Sequence, residues 1–486
     1  MYRRTRCPPF LSSSSFSSSF LHRLFLLLTA LLLLLIIPFF SFFSSSNNDT
    51  LFSYFSFSSL PSSSPSSTSS YKEKEIVHIH PDHTLPPSFS SSSSLPRRIV
   101  VIYATPRFHQ EVVSVLACAY HALHYKVIVF INSGIFLFNV MIPFTNAHES
   151  NSFDHYGGCV DTFINVNYAP VTLPPSTSVL IFATYPMRVK GGKKDVLAFD
   201  LIAQFQAQSG RNNHNESSSS RCKNVVILVT HRTNEAISEQ SLELESLFPR
   251  SKTYYLFLSN HTAQHAVKTT FEEDSSYRSS YIYPVLPISY ISKVSSSSLR
   301  SRNNKANSSF PTFSVQGNFG GKHAHRKNTN SVLACIQKLE RANPLSTYSI
   351  DFIGSGELKL LPLQRGRVRH LQDLSHNEFY KAIAATQFLV PAIGEEEYFY
   401  SRATSSIPAA LIAEVPVTTS SSFLSLYPCL RDAPMHAFIT QSSECETMRV
   451  ASELTAVQYA KLKAEAVHCA QVYWKDTLAT LQKISS

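Results

Sequence analysis

The chain has 486 residues and a formal net charge of +10, and 43% of its residues are hydrophobic. The excess positive charge lies in two places, the N-terminal arginines and a polar stretch from Arg300 to Lys327 that is rich in Asn and Ser. A nucleic-acid site needs basic residues interleaved with aromatic ones on a folded face. Together with the export signal described next, this excludes nucleic acid as a partner, whereas attraction to a diphosphate or an acidic glycan stays open.

A run without charged residues extends from Leu24 to Phe43, behind four arginines in the first 23 residues. At about 1.5 Å rise per residue it matches the roughly 30 Å hydrocarbon layer of a membrane. The positive charges keep the N-terminus in the cytosol. The sequence therefore predicts a single-pass type II signal anchor of the Golgi or endoplasmic reticulum membrane, with residues 1–22 as cytosolic tail, 23–43 as the span and the rest luminal. A signal peptide cleaved near Ser44 to Ser46 is the alternative.

A disordered stem is predicted for residues 44–96, because their Ser-rich repeats bury too little to offset the entropy of ordering. Four Asn-x-Ser/Thr sequons agree with export, at Asn48, Asn215, Asn260 and Asn307.

Eight cysteines are scattered along the chain, and no pair has the spacing of a zinc site. Cys7 lies on the predicted cytosolic side, which leaves seven cysteines in an oxidising compartment and at least one without a partner in the chain. A bridge between Cys429 and Cys445 is the favoured pairing, although sequence alone does not fix connectivity.

The first folded part, residues 97–290, alternates strands and helices. Short runs of β-branched residues predict strands buried on both faces of a parallel sheet, at 97–105, 126–131, 178–183, 224–230 and 252–259. Apolar residues at helical spacing predict a helix over 110–125. Residues 212–220 are expected to form an insertion loop, and Asn260 or Thr262 is expected to cap a helix.

The second part begins after a polar linker, residues 291–309, and the first sheet is expected to end just before it, near 282–288. Strands are predicted at 310–319, 347–357 and 387–393, helices at 331–342 and 376–386, and a helix with a closing strand at 405–417. A C-terminal domain over 310–440 is followed by helices over 441–486, with one or two amphipathic helices at 452–481. The chain is thus predicted to be an α/β protein with two Rossmann-like domains.

The order of these motifs resembles the GT-B class of glycosyltransferases, in particular its glycogen-synthase-like retaining branch (family 4/1-like), over residues 97–483. The segments that carry the resemblance are FSVQGNF, SIDFIGSGE, HNEFYKAIAATQFLVPAI and ATSSIPAALIAEVPV. The resemblance implies an N-terminal acceptor domain and a C-terminal nucleotide-sugar donor domain. It also implies transfer of a sugar from a nucleotide sugar to a glycan or glycoprotein acceptor, with retention at the anomeric carbon.

Ligands of doubly wound sheets bind beyond the carboxyl ends of the strands, where the first candidate residues lie. Gly317 and Asn318 end a strand, and the missing Cβ of Gly317 is expected to let backbone N–H groups approach a phosphate. Lys322 and Arg326 follow, with cations for the departing diphosphate. A solvated basic turn is the alternative.

The next strand ends in a second glycine turn. Gly354 and Gly356 are followed by Glu357, and the resemblance places this turn close to the donor nucleotide. The alternative is a plain connection from strand to helix. Residues Val368 to Leu374 resemble the segment that flanks the donor base.

Three hydroxyl residues, Thr404, Ser405 and Ser406, precede an apolar helix. Their hydroxyls and the N-terminal N–H groups of the helix suit a diphosphate, and ordinary capping is the alternative.

The paired glutamates of the resembled branch are absent, because Ser401 and Ala409 stand at their places. Glu397, in the triplet that begins at Glu395, is the candidate to take the first role by a shift in the loop. This departure favours a second function, a catalytically silent protein that binds glycans or acts as the partner of a true transferase. An exostosin-like transferase, which is also anchored and two-lobed, is the alternative enzyme. A hydrolase ranks last, since the triplet has no clear carboxylate partner.

Two histidines are the candidate catalytic residues, His109 after the first strand and His231 after VILVT. A histidine there can hydrogen-bond a sugar hydroxyl or support proton transfer, although a purely structural role is the alternative. No Asp-x-Asp motif is present in the mature region. The sequence therefore predicts a metal-independent reaction with no cofactor besides the nucleotide-sugar substrate.

Overall fold

The computed structural model describes residues 98–104, 110–131, 159–166, 171–185, 195–215, 224–233, 247–269, 271, 277–286, 311–343, 348–358, 368–374 and 376–486. The predicted tail, membrane span, stem and linker lie outside these ranges. None of the helices in the described ranges is long and apolar enough to cross a membrane.

Seven parallel strands form the first sheet. They are β1 (Ile99–Ala104), β2 (Lys126–Ile131), β3 (Thr162–Asn165), β4 (Thr177–Tyr185), β5 (Val225–Thr230), β6 (Thr253–Phe257) and β7 (Arg278–Tyr281). Their order is β3-β2-β1-β4-β5-β6-β7. Successive strands are thus added on one side of β1 up to β3 and on its other side from β4 onward. Val100 and Ile102 pack in an apolar cluster on one face and Val101 and Tyr103 in another on the opposite face. Burial on both faces explains why these strands are continuous apolar runs.

Three helices accompany the described part of this sheet. They are α1 (Gln110–Ala122), α2 (Val196–Asn215) and α3 (Asn260–Thr269). The predicted loop at 212–220 is wrong at its start, because α2 continues to Asn215 from a buried stripe at Ala198, Leu201, Ile202 and Phe205.

Two further expectations for the first half can be compared with the structure. Thr262 does not cap α3, because it lies in the first turn, fully buried, and its hydroxyl donates to the carbonyl of Ser259 (2.9 Å). The last strand, β7, ends at Tyr281, so the sheet ends next to the expected place at 282–288, but β7 itself was not predicted as a strand. Its sequence is RSSY, and a half-buried edge strand needs no apolar run.

Four parallel strands form the second sheet: β8 (Thr312–Asn318), β9 (Ser349–Ser355), β10 (Val368–Leu371) and β11 (Phe388–Val390). Their order, β10-β9-β8-β11, repeats the β3-β2-β1-β4 order of the first sheet. Helices α4 (Thr329–Ala342), α5 (His376–Ala384) and α6 (Ser406–Ile412) connect or follow them. The two sheets confirm the predicted α/β fold with two βα-rich halves. The expected closing strand is only an isolated bridge between Leu389 and Val417.

The chain ends in five helices, α7 (Ser421–Leu424), α8 (Pro428–Asp432), α9 (Pro434–Ile439), α10 (Glu444–Ser452) and α11 (Ala456–Ser485). The 30-residue α11 packs against both halves. Leu462 belongs to the apolar cluster of the second sheet, and Trp474 and Leu481 belong to that of the first. At its end, Ser485 shares a hydrogen bond with Tyr120 of α1 (2.9 Å).

Three disulfides lie in the described residues, Cys118–Cys159, Cys335–Cys445 and Cys429–Cys469. The predicted pair Cys429 and Cys445 is therefore wrong. Cys445 lies in the first turn of α10, which packs on α4 and its Cys335, whereas Cys429 of α8 packs on α11 and its Cys469. Proximity in sequence misled because helix packing, and not separation along the chain, brings cysteines together. Cys7 and Cys222 lie outside the described residues.

Helix α11 begins with a capping box. The Thr455 hydroxyl accepts from the backbone N–H of Gln458 (3.3 Å), and the Gln458 side chain accepts from the backbone N–H of Thr455 (2.9 Å). We expect Thr455→Ala to lower the free energy of unfolding by about 1 kcal/mol, because one helix donor loses its acceptor. Urea unfolding measures this, with Thr455→Ser as the matched variant that keeps the hydroxyl. An equal loss in both variants would contradict the role of the cap.

Candidate active site

A cavity of about 220 Å³ lies where the carboxyl ends of strands from both sheets converge. Its lining residues are Glu111, Gln316, Leu374, Phe379, Tyr380, Ser405, Pro408 and Ala409. Glu111 comes from the first turn of α1, after β1, and Gln316 from the end of β8. Both positions are those at which doubly wound sheets bind ligands.

The two glycine turns of the second sheet pack against one another. A Cβ on Gly354, whose φ is +150°, would lie 1.8 Å from the carbonyl oxygen of Gly317, and a Cβ on Gly356, whose φ is +89°, would lie 2.2 Å from the nitrogen of Gly320. A Cβ on Gly317 would meet the side chain of Lys327 at 2.8 Å. The space that these glycines leave is thus filled by the protein itself, and their predicted contact with a phosphate stays a prediction.

The remaining residues of these turns lie at the surface. Asn318 is exposed and its side-chain oxygen accepts from the backbone N–H of Gly320 (3.1 Å). Glu357, after the second turn, is exposed as well. Val368 to Leu371, expected to flank a donor base, form the edge strand β10, which pairs with β9.

Lys327, which sequence reasoning missed, is a central residue of this region. Its ammonium donates to the carbonyl of Pro391 (2.6 Å) and to the hydroxyl of Ser406 (2.8 Å). Burial lowers the pKa of Lys327 to about 8, although the nearby carboxyl of Glu444 opposes the shift. Ser406 in turn donates to the side-chain oxygen of Gln316 (3.0 Å), so a hydrogen-bonded chain runs from Lys327 to the cavity.

Glu444, at the start of α10, is the second titratable group of this region. One of its carboxylate oxygens accepts from the backbone N–H of Ala392 (3.0 Å). Burial raises the pKa of Glu444 to about 7, with the hydrogen bond from Ala392 and the charge of Lys327 opposing the shift. Neither residue was singled out from sequence, because their partners lie 79 and 52 positions away along the chain.

The three predicted hydroxyl residues have different surroundings. Thr404 is buried and its hydroxyl accepts from the backbone N–H of Ser406 (3.2 Å). Ser406 is fully buried and hydrogen-bonded to Lys327 and Gln316, whereas Ser405 is exposed and faces Gln316. Of the three, Ser405 alone lines the cavity.

The predicted basic turn forms a 3-10 helix, Gly321–Arg326. Lys322 belongs to it, but its side chain lies outside the described atoms. The Nε of Arg326 is buried and has no hydrogen-bond partner among the described residues. Arg326 and Arg232 both act electrostatically on Arg402, whose pKa is lowered mainly by burial.

The acidic triplet is engaged with Arg402. The guanidinium hydrogen-bonds Glu395, lies 3.6 Å from Glu397 and stacks over the ring of Tyr398 at 4.8 Å. Glu395 also pairs with His325 (2.7 Å), while the Glu397 side chain is 49% exposed. Glu397 thus keeps a free approach to solvent, but the carboxylate of Glu395 is held by the protein.

The segment around Arg402 joins the two halves of the chain. Arg232 and Arg402 form an antiparallel bridge, flanked by hydrogen bonds from Thr233 N–H to Ser401 (3.1 Å) and from Ala403 N–H to the carbonyl of His231 (3.3 Å). This places candidate His231 at the junction of the halves. The other candidate, His109, lies outside the described residues.

A further histidine at this junction was not predicted. His261 is buried, and its Nε2 lies 3.3 Å from the carbonyl of Arg402. Burial lowers its pKa to about 4, so this imidazole is neutral at physiological pH. Within the part of the chain that the structure describes, no group of three His, Cys, Asp or Glu residues is arranged to hold a metal ion.

No protein-family model matches this chain, and no curated protein matches its sequence. Among solved structures, it is similar to a trehalose 6-phosphate synthase of Burkholderia multivorans, at 9% identity and a TM-score of 0.45, over 80% of this chain and 100% of that one. It is also similar to HepE of Anabaena in complex with UDP and glucose, at 10% identity and a TM-score of 0.44, over 80% of this chain and 100% of HepE. Sucrose-phosphate synthase of Thermosynechococcus elongatus is similar at 10% identity and a TM-score of 0.44, over 80% and 98% of the two chains.

Proposed function

We propose that this protein is a glycosyltransferase that moves a sugar from a nucleotide-sugar donor to a glycan or glycoprotein acceptor. The observation that carries the proposal is the cavity between the two halves, which Glu111 lines from the first half and Gln316 and Ser405 from the second. A transferase must hold two substrates so that their reacting atoms meet, and a cavity lined from two βα halves is suited to this. The resemblance of the motifs in the second half to those of GT-B enzymes supports the same function.

The second half is the proposed donor side. Gln316 near the end of β8 and Ser405 just before α6 line the cavity, and Arg326 lies in the 3-10 helix that follows β8. Hydroxyl, amide and guanidinium donors suit the oxygens of a diphosphate, whose charge grows as the sugar departs. We propose that these groups stabilise the leaving group without a metal ion.

The proposed location is the lumen of the Golgi or endoplasmic reticulum, with residues 24–43 as the type II membrane anchor. Three disulfides support it, because such bridges persist in oxidising compartments and are rare in the cytosol. The acceptor proposed on this basis is a luminal glycan or glycoprotein.

The proposal is tested with purified full-length protein and a panel of nucleoside diphosphates in EDTA. At a ligand concentration about 100 times Kd, the folded state gains about 2.7 kcal/mol, which raises Tm by several degrees. We expect one base to give such a rise, and Arg326→Ala to reduce it. Arg431→Ala is the matched control, because Arg431 is exposed and pairs with Asp432 (2.6 Å) in α8. A folded protein whose Tm no nucleotide changes would contradict a nucleotide-sugar transferase.

A catalytically silent binding protein is the second candidate, and one observation favours it. Ala409 lines the cavity at the place where the resembled branch has a glutamate, so that side of the cavity carries no carboxylate at this position. Release of the nucleoside diphosphate from the matching nucleotide sugar, with and without glycan acceptors, separates the two. Nucleotide binding without any release favours the silent protein.

A further inference from the structure

Gln316 is placed to recognise a ligand, although nothing in the sequence singled it out. It lies near the end of β8 and lines the cavity. Its amide contacts two hydroxyls, with Oε1 3.0 Å from Ser406 Oγ and 3.5 Å from Ser405 Oγ, and Nε2 3.3 Å from Ser405 Oγ. The question that decides its chemistry is which end of the amide is held by the protein.

Lys327 determines which end of the Gln316 amide faces Ser406, because an ammonium group only donates hydrogen bonds. Its Nζ donates to Ser406 Oγ at 2.8 Å, so that hydroxyl oxygen acts as an acceptor there. The hydroxyl hydrogen of Ser406 must then find an acceptor of its own, since the residue is fully buried. Oε1 of Gln316 is that acceptor. The reverse orientation would give Ser406 Oγ two donors and leave its hydrogen without an acceptor.

The amide nitrogen of Gln316 therefore faces the other way. One of its two N–H groups points toward Ser405 Oγ, and the second is left for the cavity. A primary amide nitrogen is a donor only. The group that it meets in a bound ligand must then be a hydrogen-bond acceptor.

We propose that Lys327 and Ser406 are positioning residues that fix the amide of Gln316, and that Gln316 donates a hydrogen bond to a phosphoryl oxygen of a nucleoside diphosphate in the cavity. This inference rests on the proposed function and adds to it a residue that selects for the oxygen-rich end of the donor. Gln316 touches the ligand directly, whereas Ser406 acts through Gln316. The hydrogen bonds from Lys327 through Ser406 to Gln316 orient the amide and transfer no proton.

The sharpest test is Gln316→Glu in the purified full-length protein. A carboxylate keeps an oxygen for Ser406 but replaces the donating NH2 by a second oxygen, which repels a phosphate. Binding is measured by calorimetry with UDP, GDP, ADP and CDP, each in EDTA. We expect Kd for the nucleotide that binds wild type to rise at least tenfold. Gln482→Glu is the matched control, because it makes the same change of charge at an exposed site in the last turn of α11.

A second pair of variants tests the positioning role. We expect Ser406→Ala to weaken binding about threefold to tenfold, and Gln316→Met to weaken it at least as much. In the double variant, Ser406→Ala should cost nothing further, because the amide that Ser406 orients is gone. A purely structural role of Ser406 would instead reduce affinity by the same factor in both backgrounds.

Each outcome decides the inference. A tenfold loss in Gln316→Glu, with non-additive losses in the second pair, supports it. Wild-type affinity in Gln316→Glu, or additive losses, overturns it while the proposed function stands. If wild type binds none of the four nucleotides, the proposed function fails and this inference fails with it.

Discussion

Gly354→Ala is expected to destabilise the protein by about 4 kcal/mol or more, or to prevent folding altogether. The new Cβ would lie 1.8 Å from the carbonyl oxygen of Gly317, and that oxygen belongs to the neighbouring strand of the same sheet. Relief would require β8 and β9 to separate where they are paired. The φ of +150° adds strain for any residue with a side chain.

Gly321→Ala is the matched control for this result. Gly321 also has a positive φ, +59°, but a Cβ there meets nothing within 4 Å. Gly321→Ala is therefore expected to lose only the free energy that a positive φ costs an alanine, about 1 kcal/mol. Denaturant unfolding of both variants compares them directly, and similar costs would show that the close packing of the two glycine turns is not what requires Gly354.

Lys327→Met is expected to lower the free energy of unfolding by about 3 to 5 kcal/mol near pH 7.5, because it leaves Glu444 buried without a positive neighbour. It also removes the donors to Pro391 and Ser406. Chemical unfolding measures the loss. The double variant Lys327→Met, Glu444→Gln should recover part of it, since no uncompensated charge remains.

The same pair predicts how stability depends on pH. Burial raises the pKa of Glu444 from 4.5 to about 7, so the folded state binds more protons than the unfolded state between these values, and stability falls as pH rises through them. Burial lowers the pKa of Lys327 from 10.5 to about 8, so the unfolded state binds more protons between 8 and 10.5, and stability rises again there. The contribution of the pair is therefore lowest near pH 7 to 8.

Glu444→Gln isolates the acidic limb of this dependence. It should reduce the decrease in the free energy of unfolding between pH 4.5 and 7. For a pKa shift of this size, that decrease amounts to about 3 kcal/mol at most. Unfolding midpoints across that range give the slope. If wild type and variant keep parallel profiles, Glu444 titrates normally in the folded state.

The central strands of both sheets were predictable because their full burial requires continuous apolar residues. Val100 to Ala104 and Val225 to Val229 are apolar on both faces, so composition alone marks them. Strands β3, β7 and β10 were not predicted, because each lies at the edge of its sheet and has mostly half-buried or exposed residues. Helix α2 overran the predicted loop because its polar last turns continue a helix that is held by its buried first half.

The site was predictable only in part. Strand ends and glycines located the turns at Gly317 and Gly354, since these signals are local in sequence, but the contact of these turns with a phosphate stays a prediction. The chain of Lys327, Ser406 and Gln316 was not predictable, because its hydrogen bonds join residues 79 and 90 positions apart. The hydrophobic periodicity of the sequence does not show that a lysine is buried. The cysteine pairs were not predictable either, because they also join residues far apart along the chain.

Helix α11 also sets the order in which the molecule can be completed as it is made. Tyr120 and Ser485, which meet in the structure, are 365 positions apart. At roughly 5 to 20 residues per second of synthesis, about 20 to 70 s pass between them. During that time the first sheet has emerged from the ribosome, yet its apolar surface still lacks Trp474, Leu481 and Ile484. The N-terminal half must therefore wait, partly uncovered, for the last residues of the chain, and a nascent chain released early would leave that surface exposed to aggregation.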